Sequence, residues 1–212
     1  MYIIANRRIK DYPKNSKEGI LLSKFEDNTD GVLIDVRMTK DGKLVLYEND
    51  LIFNDYYISK MNYQDIQKIK IGNSLNNYHI PLLEDILMYY EKDILIINLH
   101  HNYDQNERLV QELKRILEKY YIKKIIIVAD NNHLLEYLNL LTDYEVYHLN
   151  DNSKFINVDI KIENYNNTIR SSIVTNNKND YARFYKLKDI QDNLDNFFVI
   201  TNNPNLLKRY YL

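Results

Sequence analysis

Two apolar runs carry side chains able to do chemistry. In Val32–Val36 the carboxylate of Asp35 follows Leu33 by two positions, and at the end of Ile94–Leu99 the amide of Asn98 precedes His100 by two. Strand side chains repeat every second residue, so Leu33 and Asp35 share one face, as do Asn98 and His100. A carboxylate, an amide and an imidazole brought together could hold a hard cation or move a proton. Mg²⁺ and Ca²⁺ demand oxygen ligands, usually including carboxylates, whereas Leu33 offers none and Asn98 one neutral carbonyl oxygen. Such a set holds a divalent cation poorly. Glu48 closes a further apolar run, Lys43–Tyr47, and can serve as a general acid or base only where its surroundings raise its pKa.

Other candidates have plainer readings. His100 and His101 are adjacent, so on a strand they face opposite sides and do not form a metal pair. No nearby His or Cys completes a zinc spacing. His79, His133 and His148 are scattered, and Asp159 with Glu163 reads as a solvated pair. Arg7-Arg8 and Lys123-Lys124 are too short to signal nucleic acid. No Gly-rich phosphate loop, nucleophile elbow or zinc-protease motif occurs.

Composition narrows the class further. The 212 residues are 45% hydrophobic, enough for one sizeable core, and the expectation is a single domain over 1–212. Lys+Arg 28 against Asp+Glu 30 gives a net charge of -2, which advertises neither nucleic acid nor an acidic disordered tail. With Cys 0, disulfides and thiolate metal sites are excluded. No apolar run approaches the roughly 18 residues of a membrane span, so a soluble, intracellular, cytoplasmic protein is expected. Abundant Asn, Ile, Lys and Tyr beside only Gly 4 indicates an AT-rich coding bias.

The elements that would position these residues alternate. Strand-like runs fall at Tyr2–Ala5, Val32–Val36, Lys43–Tyr47, Ile94–Leu99, Lys124–Ala129, Glu145–His148, Ile169–Thr175 and Phe197–Thr201. Helical periods lie between them, at Ser16–Phe25, Tyr63–Lys70, Leu82–Tyr90, Asn106–Tyr121, Asn132–Leu141, Asp180–Asn193 and Pro204–Tyr210. The clearest is Asn106–Tyr121, where Leu109, Leu113, Ile116, Leu117 and Tyr120 recur at helical spacing. This order implies an α/β fold with a parallel sheet covered by helices. Between Asn150 and Thr168 no helical period is evident; FINVDIKI alternates instead, so one abbreviated or irregular βα unit is expected there.

Several segments carry a family pattern. Asp30–Asp50 reads DGVLIDVRMTKDGKLVLYEND, Tyr2–Arg8 reads YIIANRR, and Pro13-Lys14-Asn15-Ser16 follows. Ile80–Leu87 reads IPLLEDIL, Ile96–His100 reads IINLH, and Ile173–Asn176 and Val199–Pro204 read IVTN and VITNNP. Together they resemble the glycerophosphodiester phosphodiesterase family across nearly the whole chain. The resemblance implies a TIM (β/α)8 barrel with its site at the carboxyl ends of the strands. It also implies a divalent cation held by three carboxylates and hydrolysis by two histidines.

Most of the reactive letters differ here. Asn6 and Glu48 stand at the positions of the two histidines, Leu33 and Asn98 replace two of the metal carboxylates, and Asp35 is the retained ligand. Arg7 keeps the motif arginine, Arg8 replaces its glycine, Lys14 replaces a glutamate and His100 a lysine. The expectation is a family member that has lost metal-dependent hydrolysis and needs no cofactor. It would act as a binding or structural protein for a phosphate-bearing ligand or a protein partner, with Arg7, His100 and Lys14 as phosphate ligands. Against this stands a plainer reading in which those cations are solvated or pair with Asp35 and Glu48. The alternative function is an active phosphodiesterase that uses Asp35 to hold Mg²⁺ or Ca²⁺, with Glu48 and His100 beside it.

Overall fold

The structure is a computed structural model described over residues 1–7, 12–25, 28–53, 55–72, 77–149, 155–157, 159–165, 168–174 and 198–211. Among the described residues, seven strands run parallel: β1 (Tyr2–Asn6), β2 (Gly31–Met38), β8 (Ile94–Leu99), β9 (Lys124–Ala129), β10 (Glu145–His148), β11 (Phe155–Asn157) and β14 (Phe198–Thr201). Their spatial order is β10-β9-β8-β2-β1-β14-β11. Chain order and spatial order therefore agree around the sheet, as in a barrel.

Alternation along the strands divides the apolar residues between two faces. Outward positions on β2 (Val32, Ile34, Val36) and β8 (Leu95, Ile97, Leu99) pack beneath the helices. The covering helices are α1 (Lys17–Phe25), α3 (Glu84–Leu87), α4 (Asn106–Leu117) and α5 (Asn132–Leu141). On α4, Leu109, Val110, Leu113, Ile116 and Leu117 are buried along one stripe, each contributing about 1.5–3 kcal/mol by its burial. α5 starts where the Asn131 side chain accepts the Leu134 N–H, and α6 (Pro204–Tyr211) begins on a proline whose missing N–H costs nothing there.

Inward positions form a second cluster of Ile4, Ile94, Ile96, Ile126, Val128, Phe155, Phe198 and Ile200, with Tyr2, Leu33 and Tyr147 against it. Tyr147 on β10 and Phe155 on β11 come from opposite ends of the strand order, yet their rings meet edge-on at 5.5 Å. The sheet has curled until its two edges touch. This is a TIM-barrel-type fold.

Two strand-like runs sit elsewhere than in the parallel ring. Lys43–Tyr47 yields β3 (Leu44–Leu46), which pairs antiparallel with the end of β2 because a Thr-Lys-Asp-Gly turn reverses the chain. In that turn Gly42 takes φ 84°, a left-handed conformation that favours glycine. Ile169 lies in β13 (Thr168–Val174), which pairs antiparallel with β12 (Asp159–Tyr165) as a separate hairpin. β11 meanwhile joins the ring beside β14. The irregular unit expected around 150–168 is therefore a short ring strand followed by a hairpin strand. The helical reading at 180–193 lies outside the described residues.

Between β2 and β8 the chain makes an excursion: β3, the hairpin β4 (Leu51–Ile52) with β5 (Tyr56–Tyr57), the short helix α2 (Tyr63–Ile66) and the pair β6 (Lys70–Ile71) with β7 (Tyr78–His79). Helix was expected over Tyr63–Lys70, but it stops after one turn and Lys70 enters β6. Val45, Ile52, Ile58, Ile66, Ile71 and Ile80 give the excursion its own buried cluster. It carries Glu48 to the barrel mouth. Among the described residues, no helix is long and apolar enough to cross a membrane.

Candidate ligand-binding site

The site is built where β1, β2 and β8 end side by side. Register places Asn6 beside Leu33, and Asp35 beside Asn98 one inward position further along, so the strand ends form two successive rows on the inner face. Leu33 joins the apolar interior cluster and is half-buried; it extends the hydrocarbon floor up to the polar layer. Asn6 ends β1, half-buried at the same height.

Arg7 and Asn15 enter through a pinned turn. Arg7 takes φ 57° and Asn15 φ 61°, left-handed values that are uncommon for non-glycine residues. The Arg7 N–H donates to the Leu33 carbonyl at 2.9 Å, and the Asn15 N–H donates to the Arg7 carbonyl at 2.8 Å. Both side chains then reach Asp35.

Asp35 is fully buried at 0% exposure and is surrounded by donors. Its Oδ1 accepts from Asn98 Nδ2 at 2.7 Å and lies 3.0 Å from His100 Nε2. Oδ2 accepts from Asn15 Nδ2 at 2.9 Å and faces Arg7 Nε at 2.9 Å. That last contact is off the hydrogen-bond axis, since Arg7 Nε has no aligned acceptor, and is Coulombic. The Asp35 N–H donates in turn to Asn15 Oδ1 at 3.0 Å. Burial pushes the Asp35 carboxyl up, but the His100 hydrogen bond, the Arg7 charge and the Asn15 hydrogen bond together hold it below the ordinary carboxylate range.

Glu48 forms the second centre. Arg7 Nη1 donates to its Oε1 at 2.6 Å and Lys14 Nζ to its Oε2 at 2.8 Å. Burial raises the Glu48 carboxyl, and the Lys14 hydrogen bond with the Arg7 and Lys14 charges more than reverses this, leaving it lowered. Arg37 donates from Nε and Nη2 to the Glu48 backbone carbonyl at 3.0 and 2.8 Å.

Sequence reasoning named Asn6, Arg7, Lys14, Leu33, Asp35, Glu48, Asn98 and His100, and the fold brings them to one barrel mouth. Arg8 lies outside the described residues. Two members were missed. Arg37 follows Asp35 by two positions on the same strand, so the alternation that pairs Leu33 with Asp35 also points to it. Asn15 sits in the Pro-Lys-Asn-Ser segment, and asparagine tolerates the left-handed backbone found there.

The donor set does not fit a divalent cation. Among the described residues, no three His, Cys, Asp or Glu side chains converge to hold one. Both oxygens of Asp35 face protein donors, and the Arg7 guanidinium bridges Asp35 and Glu48 where positive charge is needed.

Solved structures share this architecture. A glycerophosphodiester phosphodiesterase from Parabacteroides distasonis superposes with a TM-score of 0.69 at 16% identity, covering 98% of this chain and 95% of that one. The fold is that of the glycerophosphodiester phosphodiesterases. A phosphodiesterase from Oleispira antarctica, solved with the product sn-glycerol-3-phosphate, matches over 99% of this chain and 89% of its own, with a TM-score of 0.62 and 15% identity. By sequence, the candidate glycerophosphodiester phosphodiesterase YhdW of Bacillus subtilis is 30% identical over 109 residues, 47% of this chain and 44% of that protein. The chain spans 44% to 63% of the length of the curated relatives it matches. No family model matches it.

Proposed function

We propose that this glycerophosphodiester phosphodiesterase-fold chain binds a phosphate-bearing ligand without a metal ion and does not hydrolyse it. The observation that carries this reading is the enclosure of Asp35: both oxygens of the one retained acid are occupied by Asn98, His100, Asn15 and Arg7. Phosphodiester hydrolysis of the metal-assisted kind needs a cation to polarise the phosphoryl oxygens and orient the nucleophile. Leu33 and Asn98 bring no charge to such a cation, and Arg7 competes with it for Asp35.

Proton transfer is equally unsupported. An amide at Asn6 does not exchange protons near neutral pH. A carboxylate held below its ordinary range by Lys14 and Arg7 is a weak base and is ionised where an acid is required. What the mouth does offer is Arg7, Lys14, Arg37 and His100 within one constellation, suited to a phosphate oxygen. The product bound in the Oleispira enzyme is a ligand of this chemistry.

The test is turnover of glycerophosphocholine with Mg²⁺, Ca²⁺ and Mn²⁺ supplied, beside phosphate binding measured in chelator. Binding without turnover is expected. Metal-dependent turnover that disappears in Asp35→Ala establishes the active-phosphodiesterase alternative instead.

A further inference from the structure

Glu48 occupies the mouth in an unusual way for a side chain standing at a catalytic position. Its two oxygens are divided between two cations, Oε1 on Arg7 Nη1 and Oε2 on Lys14 Nζ, at 2.6 and 2.8 Å. A phosphate group presents at least two unesterified oxygens in a similar spread, so the carboxylate satisfies the donors that a phosphate would use. We infer that Glu48 is a tethered internal anion that closes the site, and that a phosphate-bearing ligand enters by displacing it from Arg7 and Lys14. This rests on the metal-free anion-binding reading and adds how that site is regulated.

The surroundings suit a side-chain gate. Glu48 is 34% exposed and Lys14 50%, so the carboxylate has water to swing into and the Lys14 amine can follow an incoming ligand. The backbone, by contrast, is held: Arg37 grips the Glu48 carbonyl with two donors, and the flanking Tyr47 N–H donates to the Asp35 carbonyl at 3.2 Å. Rotation about the Glu48 side chain therefore opens the cations without moving the loop. Arg7 stays in place when released, because Asp35 still faces its Nε and its backbone is pinned to Leu33 and Asn15.

Calorimetric titration of the full chain with inorganic phosphate in chelated buffer tests the gate in wild type, Glu48→Gln and Asp130→Asn. Glu48→Gln keeps the shape and the backbone contacts to Arg37 while removing the competing charge. A gate closed nine-tenths of the time weakens apparent affinity about tenfold, so Glu48→Gln is expected to bind phosphate about tenfold more tightly. Asp130→Asn removes from the same rim a carboxylate whose charge acts on Arg37 and His101 rather than on the Arg7–Glu48–Lys14 cluster, and so reads the field without the gate. Adding Lys14→Met, an exposed position, to Glu48→Gln is expected to abolish most of the gain.

Equal affinity in wild type and Glu48→Gln, an equal gain in Asp130→Asn, or a gain undiminished by Lys14→Met overturns the gate while leaving anion binding in place. Phosphate binding by neither wild type nor Glu48→Gln overturns the anion-binding reading as well.

Discussion

At the scale of single residues, Asp35 organises the mouth. It is a buried charge made tolerable by Arg7, His100, Asn15 and Asn98, and its removal takes from Arg7 one of its two acidic partners and from His100, Asn15 and Asn98 the acceptor they share. Breaking such a buried pair costs about 3–5 kcal/mol. Asp35→Ala should therefore lower the free energy of unfolding by about 3 kcal/mol or more in urea titrations; a loss within error of zero contradicts the network described. The same carboxyl makes a pH prediction. Its folded-state value lies below the ordinary one, so as acid is added the unfolded chain takes up the proton first. The stabilisation is complete well above the unperturbed value of about 3.9 and is lost as pH falls through that value toward the folded one. The stability gap between wild type and Asp35→Asn should accordingly shrink between neutral pH and strong acid. Most of these residues were legible because strand alternation and the motif letters mark them. Their mutual pairing was one of the readings the sequence left open, and the structure shows it; whether Arg7 and Lys14 face a ligand or Glu48 depends on where an excursion 41 and 34 residues away folds back.

At the scale of elements, close approach and capping decide where the strands and helices lie. A Cβ on Gly31 would sit 2.0 Å from the Ile94 carbonyl oxygen, backbone that has no room to give where β2 meets β8. Gly31→Ala should prevent a stable fold, visible as lost soluble yield or a much lower midpoint in thermal circular dichroism. A milder test is Asn131→Ala, which deletes the side-chain acceptor at the start of α5 and should cost about 1 kcal/mol. The elements themselves were largely readable, above all α4, whose spacing sets a continuous buried stripe. Two runs misled because an apolar alternation reports a strand and not its partner. Lys43–Tyr47 has the pattern of a ring strand, yet a four-residue turn obliges it to run back along β2. The Ile169 run pairs with β12 for the same local reason, leaving Phe155–Asn157, too short to stand out, as the ring strand.

For the whole molecule, the metal-free reading proposed above gives the barrel mouth a built-in cation, Arg7, between Asp35 and Glu48. Wild type should therefore show no rise in melting midpoint with millimolar Ca²⁺ or Mg²⁺. The combined substitution Asn6→His, Leu33→Glu, Glu48→His and Asn98→Glu places two further carboxylates beside Asp35 and removes the second acidic partner of Arg7. That variant should be stabilised by Ca²⁺ through ordinary ligand linkage, and a thermal shift measurement distinguishes the two. From its sequence alone the chain discloses the alternation of strands and helices and the strand-end residues that share a face, because hydrophobic period and residue chemistry are local properties; its family resemblance adds the expectation of a barrel with Leu33 and Asn98 at two carboxylate positions. Only the tertiary structure decided which groups face Asp35 and Glu48. The ion pairs of Arg7 with Asp35 and Glu48 join β1, β2 and the excursion across up to 41 positions of sequence, and electrostatic neutralisation at that range is set by folding in three dimensions.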